Sequence, residues 1–330
     1  KIIVFSTLLL SFCFMGCKKK ASPDNSVIVA SPHTLDFISP LLENFENETG
    51  IDVVLIQGGT GDLLGQLEES ESNCCFDLLW GGSYSMVLPY RDLFADYISV
   101  NEPYMQNSYK NIEGSLTRFS DIPSVLMVNT KLLGNIKITG YEDLLNPELK
   151  GKIAFSNPVT SSSSWEHLIN MVVTMGWDFV EKFCENLEGE LLASSSLVYK
   201  GVAEGKYTIG LTFEDAAANY ADVDSNITLV YMKEGVAFTP DGIYITKNTI
   251  HKENAERFVD YMTGKNVQIY MSQMLNRRSV RYDIDAKSTV PSKNQLPVIE
   301  LDYPYLEQVK VEWLEHFTTL FNKALKNEKR

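Results

Sequence analysis

Basic side chains are too few in this chain for a partner with a phosphate backbone. Lysine and arginine total 29 against 43 aspartates and glutamates in 330 residues, a formal net charge of −14. Nucleic-acid binders need a basic footprint, so no nucleic-acid partner is expected; a small anionic ligand is still allowed, because binding sites are local. Cysteine occurs five times and histidine four times. No Cys-x-x-Cys or His-x-x-x-His spacing occurs, so nothing suggests a zinc site, and no residue is assigned to a metal. The Gly-x-x-x-x-Gly-Lys phosphate loop is missing. Gly59-Thr60-Gly61 fails the dinucleotide fingerprint because Leu64 replaces its last glycine, and Gly81-Gly82-Ser83-Tyr84-Ser85 fails the nucleophile elbow at Ser85. No nucleophile lies beside a base in the sequence, so neither an enzyme nor a cofactor is expected.

What is present begins with a leader. Lys1 precedes a nearly continuous apolar run from Ile2 to Phe14, and Met15-Gly16-Cys17-Lys18-Lys19-Lys20 follows. The run is too short to span a membrane comfortably and has the order of a secretion signal. The expectation is a signal peptide over 1–16. Phe14-Met15-Gly16-Cys17 resembles a bacterial lipobox, with Phe14 where leucine is usual, and the resemblance implies lipidation of Cys17. A flexible polar tether would run through 17–26. Cys13 leaves with the signal; Cys74, Cys75 and Cys184 are an odd set that fits no disulfide framework, and adjacent Cys74-Cys75 would be strained as a bridge.

With 44% hydrophobic and 22% charged residues, the remainder can bury an ample core without staples. Short apolar runs at 27–30, 51–56 and 77–80 alternate with helical spacings at Ile38, Leu41, Leu42 and Phe45, and at Leu63, Leu64 and Leu67. Doubly buried strands with short connections predict a parallel, doubly wound α/β sheet. A second set follows: strands at 153–156, 191–193 and 207–213, with helices after Ser164, after Ser196 and from Glu214. Residues 115–130 read as an extended crossover between the two sheets, with a return near Phe238-Thr239-Pro240-Asp241-Gly242. The lobes are expected at 27–120 with 241–290, and at 121–240. A C-terminal helical segment over 291–330 could join either.

Small polar residues collect where strands end and helices begin: Ser31 with His33, Thr60 with Gly61, Gly82 with Ser83, Thr160 to Ser163, and Ser194 to Ser196 with Ser195 in the middle. In open parallel sheets, ligands bind beyond the strand carboxyl ends. Helix N-termini there offer unpaired N–H groups and partial positive charge, and hydroxyls add donors without bulk. Such an array can hold a phosphate or carboxylate without lysine or arginine. The same residues also serve as ordinary caps and turns.

Taken in order, the lipobox, Ser31-Pro32-His33, Gly81-Gly82, Asn157-Pro158 with the serine run, Tyr199-Lys200-Gly201-Val202, Gly210 to Ala217, Pro240-Asp241-Gly242 and Arg277-Arg278-Ser279-Val280-Arg281 resemble the substrate-binding proteins of bacterial ABC importers. The nearest branch is the ferric-iron-binding one, which also contains hexose-phosphate and phosphonate binders. The resemblance covers the whole chain after the leader. It implies a two-lobed periplasmic-binding-protein fold of type II with crossover hinge strands, a permease partner, and a lipid-anchored monomer outside the cytoplasm. It also implies a site: Thr160, Ser161, Ser162 and Ser163 cradle a phosphate, His33, Glu214 and Asp215 orient the rest of the solute, and Asp241 lines the hinge. Glu214-Asp215 stand where ferric members carry tyrosines, which favours a hexose phosphate first and a phosphonate second; the alternative is a ferric-ion-binding protein of an iron importer, using His33 and carboxylates with a bound anion. For Arg277, Arg278 and Arg281, a surface or inter-helix pairing is expected rather than phosphate contact.

Overall fold

The computed structural model describes residues 25–70, 75–189 and 191–328. The leader, Cys17 and Cys74 lie outside them. Strand β1 (Ser26–Ser31) pairs in parallel with β2 (Asp52–Gln57) on one side and β3 (Leu78–Ser83) on the other. Helix α1 (Leu35–Thr49) joins β1 to β2. Its buried Phe37, Ile38, Leu41, Leu42 and Phe45 form one helical stripe. Gly50 ends it in the left-handed region at φ 72°, returning its N–H to Glu46 O. Helix α2 (Thr60–Glu69) follows β2, and the single turn α3 (Tyr84–Val87) follows β3.

Two long strands carry the chain across the molecule. Both β4 (Thr117–Asn129) and β8 (Val236–Ile245) are buried at every residue. They pair antiparallel from Thr117↔Ile243 to Pro123↔Phe238. β8 also pairs antiparallel with β3, which closes the first lobe's sheet. Beyond Pro123, β4 enters the second lobe between β6 (Ile209–Phe213) and β7 (Ile227–Val230), antiparallel to both. β5 (Ile153–Ala154) pairs in parallel with β6. The strand path is β2-β1-β3-β8-β4-β6-β5. Each lobe is therefore parallel in its own β-α-β units and antiparallel at the crossing strand, because that strand arrives from the other lobe. The strand expected at 191–193 reduces to one bridge, Ser156↔Leu192.

The second lobe's helices are α4 (Ser162–Met175), α5 (Trp177–Leu187), α6 (Ser195–Ala203) and α7 (Glu214–Ala221). After β8 the chain returns to the first lobe as α8 (Lys252–Met262) and α9 (Lys265–Met274). Short β9 (Arg278–Ser279) lies against β4, and β10 (Val298–Ile299) against the start of β8. Trp80 centres the first lobe's core, its ring edge-on to Phe119 and Phe258 at 5.5 and 5.3 Å, an arrangement that adds about 1 kcal/mol per pair to the burial itself.

The last helix, α10 (Tyr303–Glu328), grips both lobes. Its first half meets the first lobe: Tyr303 stacks edge-on with Tyr84, Arg91 pairs with Glu307 at 2.5 Å, and Lys310 donates to Met86 O at 2.8 Å. Burial lowers the Lys310 ammonium to about 8. Its second half meets the second lobe: Trp313 packs edge-on against Trp177, Phe317 against Phe155, and Lys323 pairs with Glu181. No described helix is long and apolar enough to cross a membrane.

Candidate functional site

A cleft of about 840 Å³ opens where the β-α junctions of the two lobes face each other, within the size range of small-ligand sites. The first lobe contributes Ser31, His33, Thr60, Gly82 and Ser83. The second contributes Thr160, Ser161, Ser162, Ser163, Ser195 and Asp215, and hinge strand β8 adds Asp241. Two of the residues expected there are elsewhere. Gly61 does not line the cleft; its amide is spent on Thr160 O across the lobe boundary at 3.2 Å. Glu214 is 1% exposed and turned away from the cleft. Its carboxylate takes a fork from Arg278, Nε to Oε2 at 2.6 Å and Nη2 to Oε1 at 2.7 Å, and a bond from the Tyr231 hydroxyl at 2.5 Å. A side chain saturated by an arginine and a phenol has little left to offer a solute.

Several lining residues act as struts. The buried Ser31 hydroxyl donates to Trp80 O at 2.7 Å and accepts from the His33 amide, fixing the β1 exit against β3. Ser162 Oγ donates to Thr60 Oγ1 at 2.9 Å and accepts from Ser83 N at 3.1 Å, so the start of α4 rests directly on the first lobe. Gly81 and Gly82 have φ of 112° and 89°. A Cβ at Gly81 would sit 2.7 Å from His33 Nε2, so only glycine allows the imidazole its place.

The helix starts carry a consistent irregularity. None of α1, α2, α4, α6 and α7 has a side-chain cap at its N-terminus. The serines bond one another instead: Ser161 Oγ to those of Ser156 and Ser163, and Ser194 Oγ to Ser196 Oγ at 2.8 Å. Among the described residues nothing accepts from the main-chain N–H groups of Ser162, Ser163, Ser195 or Ser196. Four amides thus stay open where two helix dipoles end in one cleft.

The floor is ionic and internally compensated. Arg277 donates from Nη1 to Asp215 at 2.7 Å, from Nη2 to Asp241 at 2.7 Å and from Nε to Ser120 Oγ at 2.8 Å. Burial alone would raise the Asp241 carboxyl, but Arg277, His33 and Ser120 more than offset it and hold it below the ordinary carboxylate range. His33 Nε2 is 3.3 Å from Asp241 Oδ2 but off the line a hydrogen bond needs. Burial, aided by the Arg277 charge, lowers the His33 imidazole, so it is neutral at pH 7. Lys200 is the other permanent cation lining the cleft, and Asp36 the third carboxylate.

Tyr199 and Tyr220 also line the cleft, their rings 5.8 Å apart and tilted. Burial pushes the Tyr199 hydroxyl up to about 12 and raises Tyr220 too. Among the described residues no group of three or more His, Cys, Asp or Glu side chains could hold a metal ion. Lys200, Tyr199, Asn219 and Arg277 carry no local signal of their place in the cleft. Only the helical spacing of Tyr199 and Lys200 after the Ser194–Ser196 turn hints at it.

Residues 90–305 match the model of a family described as bacterial extracellular solute-binding protein. A solved structure described as a two-component system protein that mediates signal transduction is 28% identical, with a TM-score of 0.76, covering 88% of this chain and 100% of that one. The periplasmic binding protein AfuA from Actinobacillus pleuropneumoniae, solved with exogenous fructose-6-phosphate bound, is 19% identical, with a TM-score of 0.80, covering 91% of this chain and 98% of its own. The Fe(3+)-binding periplasmic protein of Serratia marcescens is 24% identical over 280 residues, 81% of this chain and 80% of that protein.

Proposed function

We infer the ligand from one premise: the chain belongs to the family of bacterial extracellular solute-binding proteins. The solute is a small phosphorylated molecule, a hexose phosphate in first place and a phosphonate in second. One observation carries this reading, the four open amides at the starts of α4 and α6, whose own serines bond each other and leave the N–H groups for a ligand. Amides and hydroxyls at helix N-termini satisfy a phosphate without a point charge. Lys200, on α6, adds a cation on the same side. Tyr199, Tyr220 and Asn219 offer ring faces and an amide to the remainder of the solute. The bound fructose-6-phosphate of AfuA supports the same class.

Closure supplies the affinity. The lobes meet at Gly61–Thr160 and at Thr60–Ser162–Ser83, and shutting them removes water from the phosphate bonds. We propose further that Cys17 carries the lipid that keeps the protein at the membrane, as a monomer, beside an ABC importer permease. The likeness to a two-component protein makes a membrane sensor the competing acceptor. Deleting the gene separates them: uptake of the solute is lost in the first case, induction by it in the second.

Thermal shift of the chain from Ala21 onward, against sugar phosphates, phosphonates, inorganic phosphate and ferric citrate, tests the ligand. A ligand that binds only the folded state raises the melting temperature by mass action. A selective rise with a phosphate ester is expected. A rise with ferric ion alone would replace this reading with an iron carrier's.

A further inference from the structure

Arg277 is an odd component for an anion site. A free guanidinium in a cleft binds phosphate, sulfate and carboxylates alike through paired N–H bonds. This one is 4% exposed and faces the cleft, yet both of its terminal nitrogens are committed to carboxylates. Those carboxylates are not equivalent. Asp241 is fully buried on the hinge strand and also accepts from the Ser120 amide and hydroxyl, so it belongs to the frame. Asp215 stands at the start of α7 in the other lobe, is partly exposed, and has Arg277 as its one hydrogen-bonding partner among the described residues. Its placement is also unfavourable for anion capture, since it brings a negative charge into a cleft that offers open amides to an anion.

We propose that Asp215 is a specificity residue: it occupies the Nη1 edge of Arg277 so that simple inorganic anions find no free guanidinium and only a solute with an organic part is retained. This rests on the phosphorylated-solute reading and refines it. A compensated arginine contributes shape and polarity but little net charge. An anion must then be held by the amides at α4 and α6, and the solute's remaining surface must supply the rest of the affinity. Inorganic phosphate can use the amides but has nothing to place against Phe37, Tyr199 and Asn219.

The test is Asp215→Asn, which keeps the shape and removes the charge. Calorimetry is run with inorganic phosphate, sulfate and a hexose phosphate on the folded protein from Ala21 onward. Inorganic anions should gain about tenfold in affinity, with a smaller change for the ester, as Nη1 regains a charge to share. Asp36→Asn, which removes a cleft carboxylate that Arg277 does not touch, should gain much less. An equal gain there would mean a general charge effect and would overturn the proposal. So would an Asp215→Asn protein whose inorganic affinities are unchanged, or one that loses the ester, which would make Asp215 a direct ligand contact. Should Asp215→Asn not fold, Asp215→Ser takes its place. The wild type provides a check that needs no variant: inorganic phosphate should displace the ester only at an excess of about a hundredfold or more, and displacement at equal concentrations refutes the filter. If the wild type binds no ester at all, the functional reading falls instead, and the inorganic gain in Asp215→Asn still reports on the arginine.

Discussion

Gly61→Ala should disable closure while leaving each lobe intact. Gly61 sits in the first turn of α2 with an ordinary helical backbone, so alanine fits the lobe that holds it. The obstacle is across the boundary: a Cβ there would stand 2.3 Å from Val159 O and 3.1 Å from Thr160 Cα. Relieving that overlap separates the loops by about 1 Å, since carbon needs roughly 3.5 Å to sit at its contact minimum. Three bonds across the boundary are then stretched or lost: Gly61 N to Thr160 O, Ser162 Oγ to Thr60 Oγ1, and Ser83 N to Ser162 Oγ. At about 1 kcal/mol net each, the closed state loses about 3 kcal/mol. Ligand affinity, measured by calorimetry, should fall about a hundredfold, and small-angle scattering should show an open molecule even with solute present. The ligand-free melting temperature should hold or rise, because alanine replaces glycine in a helix with a gain of up to about 1 kcal/mol. Unchanged affinity, or a ligand-free destabilisation as large as the affinity loss, would refute the reasoning.

Two further outcomes follow from buried charges away from the cleft. His167 accepts from the Tyr141 hydroxyl at Nδ1 and donates from Nε2 to Thr212 O, and burial lowers its imidazole to about 4. Between pH 6.5 and about 4 the unfolded chain takes up a proton that the folded one refuses, so about 3 kcal/mol of stability present above pH 6.5 is lost as pH falls through that window. Denaturant titrations at pH 7 and 4 should show this slope, and it should flatten in His167→Gln; an unchanged slope would contradict the assignment. Glu214→Ala strands Arg278 in the interior and should cost about 3–5 kcal/mol of unfolding free energy. Normal stability with lost solute binding would instead return Glu214 to the cleft.

The sequence exposed the parts of this architecture that are local. Glycine, serine and threonine after apolar runs marked the β-α junctions, because tight turns and helix starts select those residues whatever the tertiary structure. It did not expose what those hydroxyls bind. Ser161 and Ser194 look like caps and are not, and the difference lies in partners such as Ser156 and Ser196 reached by side-chain rotation. The acidic pair at 214 and 215 reads as two equivalent ligands. Successive residues at a helix start point in different directions, so one meets Arg278 and the other Arg277, both more than 60 residues away. The three arginines read as surface or inter-helix pairings; Arg277, Arg278 and Arg281 are instead buried, each against a carboxylate, and Arg277 reaches the cleft floor. Amphipathic spacing predicts the last helix, yet no pattern along one chain states that its two halves seat on different lobes.

The cleft should recognise the phosphate group itself. Calorimetry with a matched pair, a hexose phosphate and the same hexose without its phosphate, tests it most directly. The open amides of α4 and α6 predict tight binding of the ester and no measurable heat with the free sugar. Equal binding of the two, or binding of neither beside tight binding of ferric ion, would contradict it.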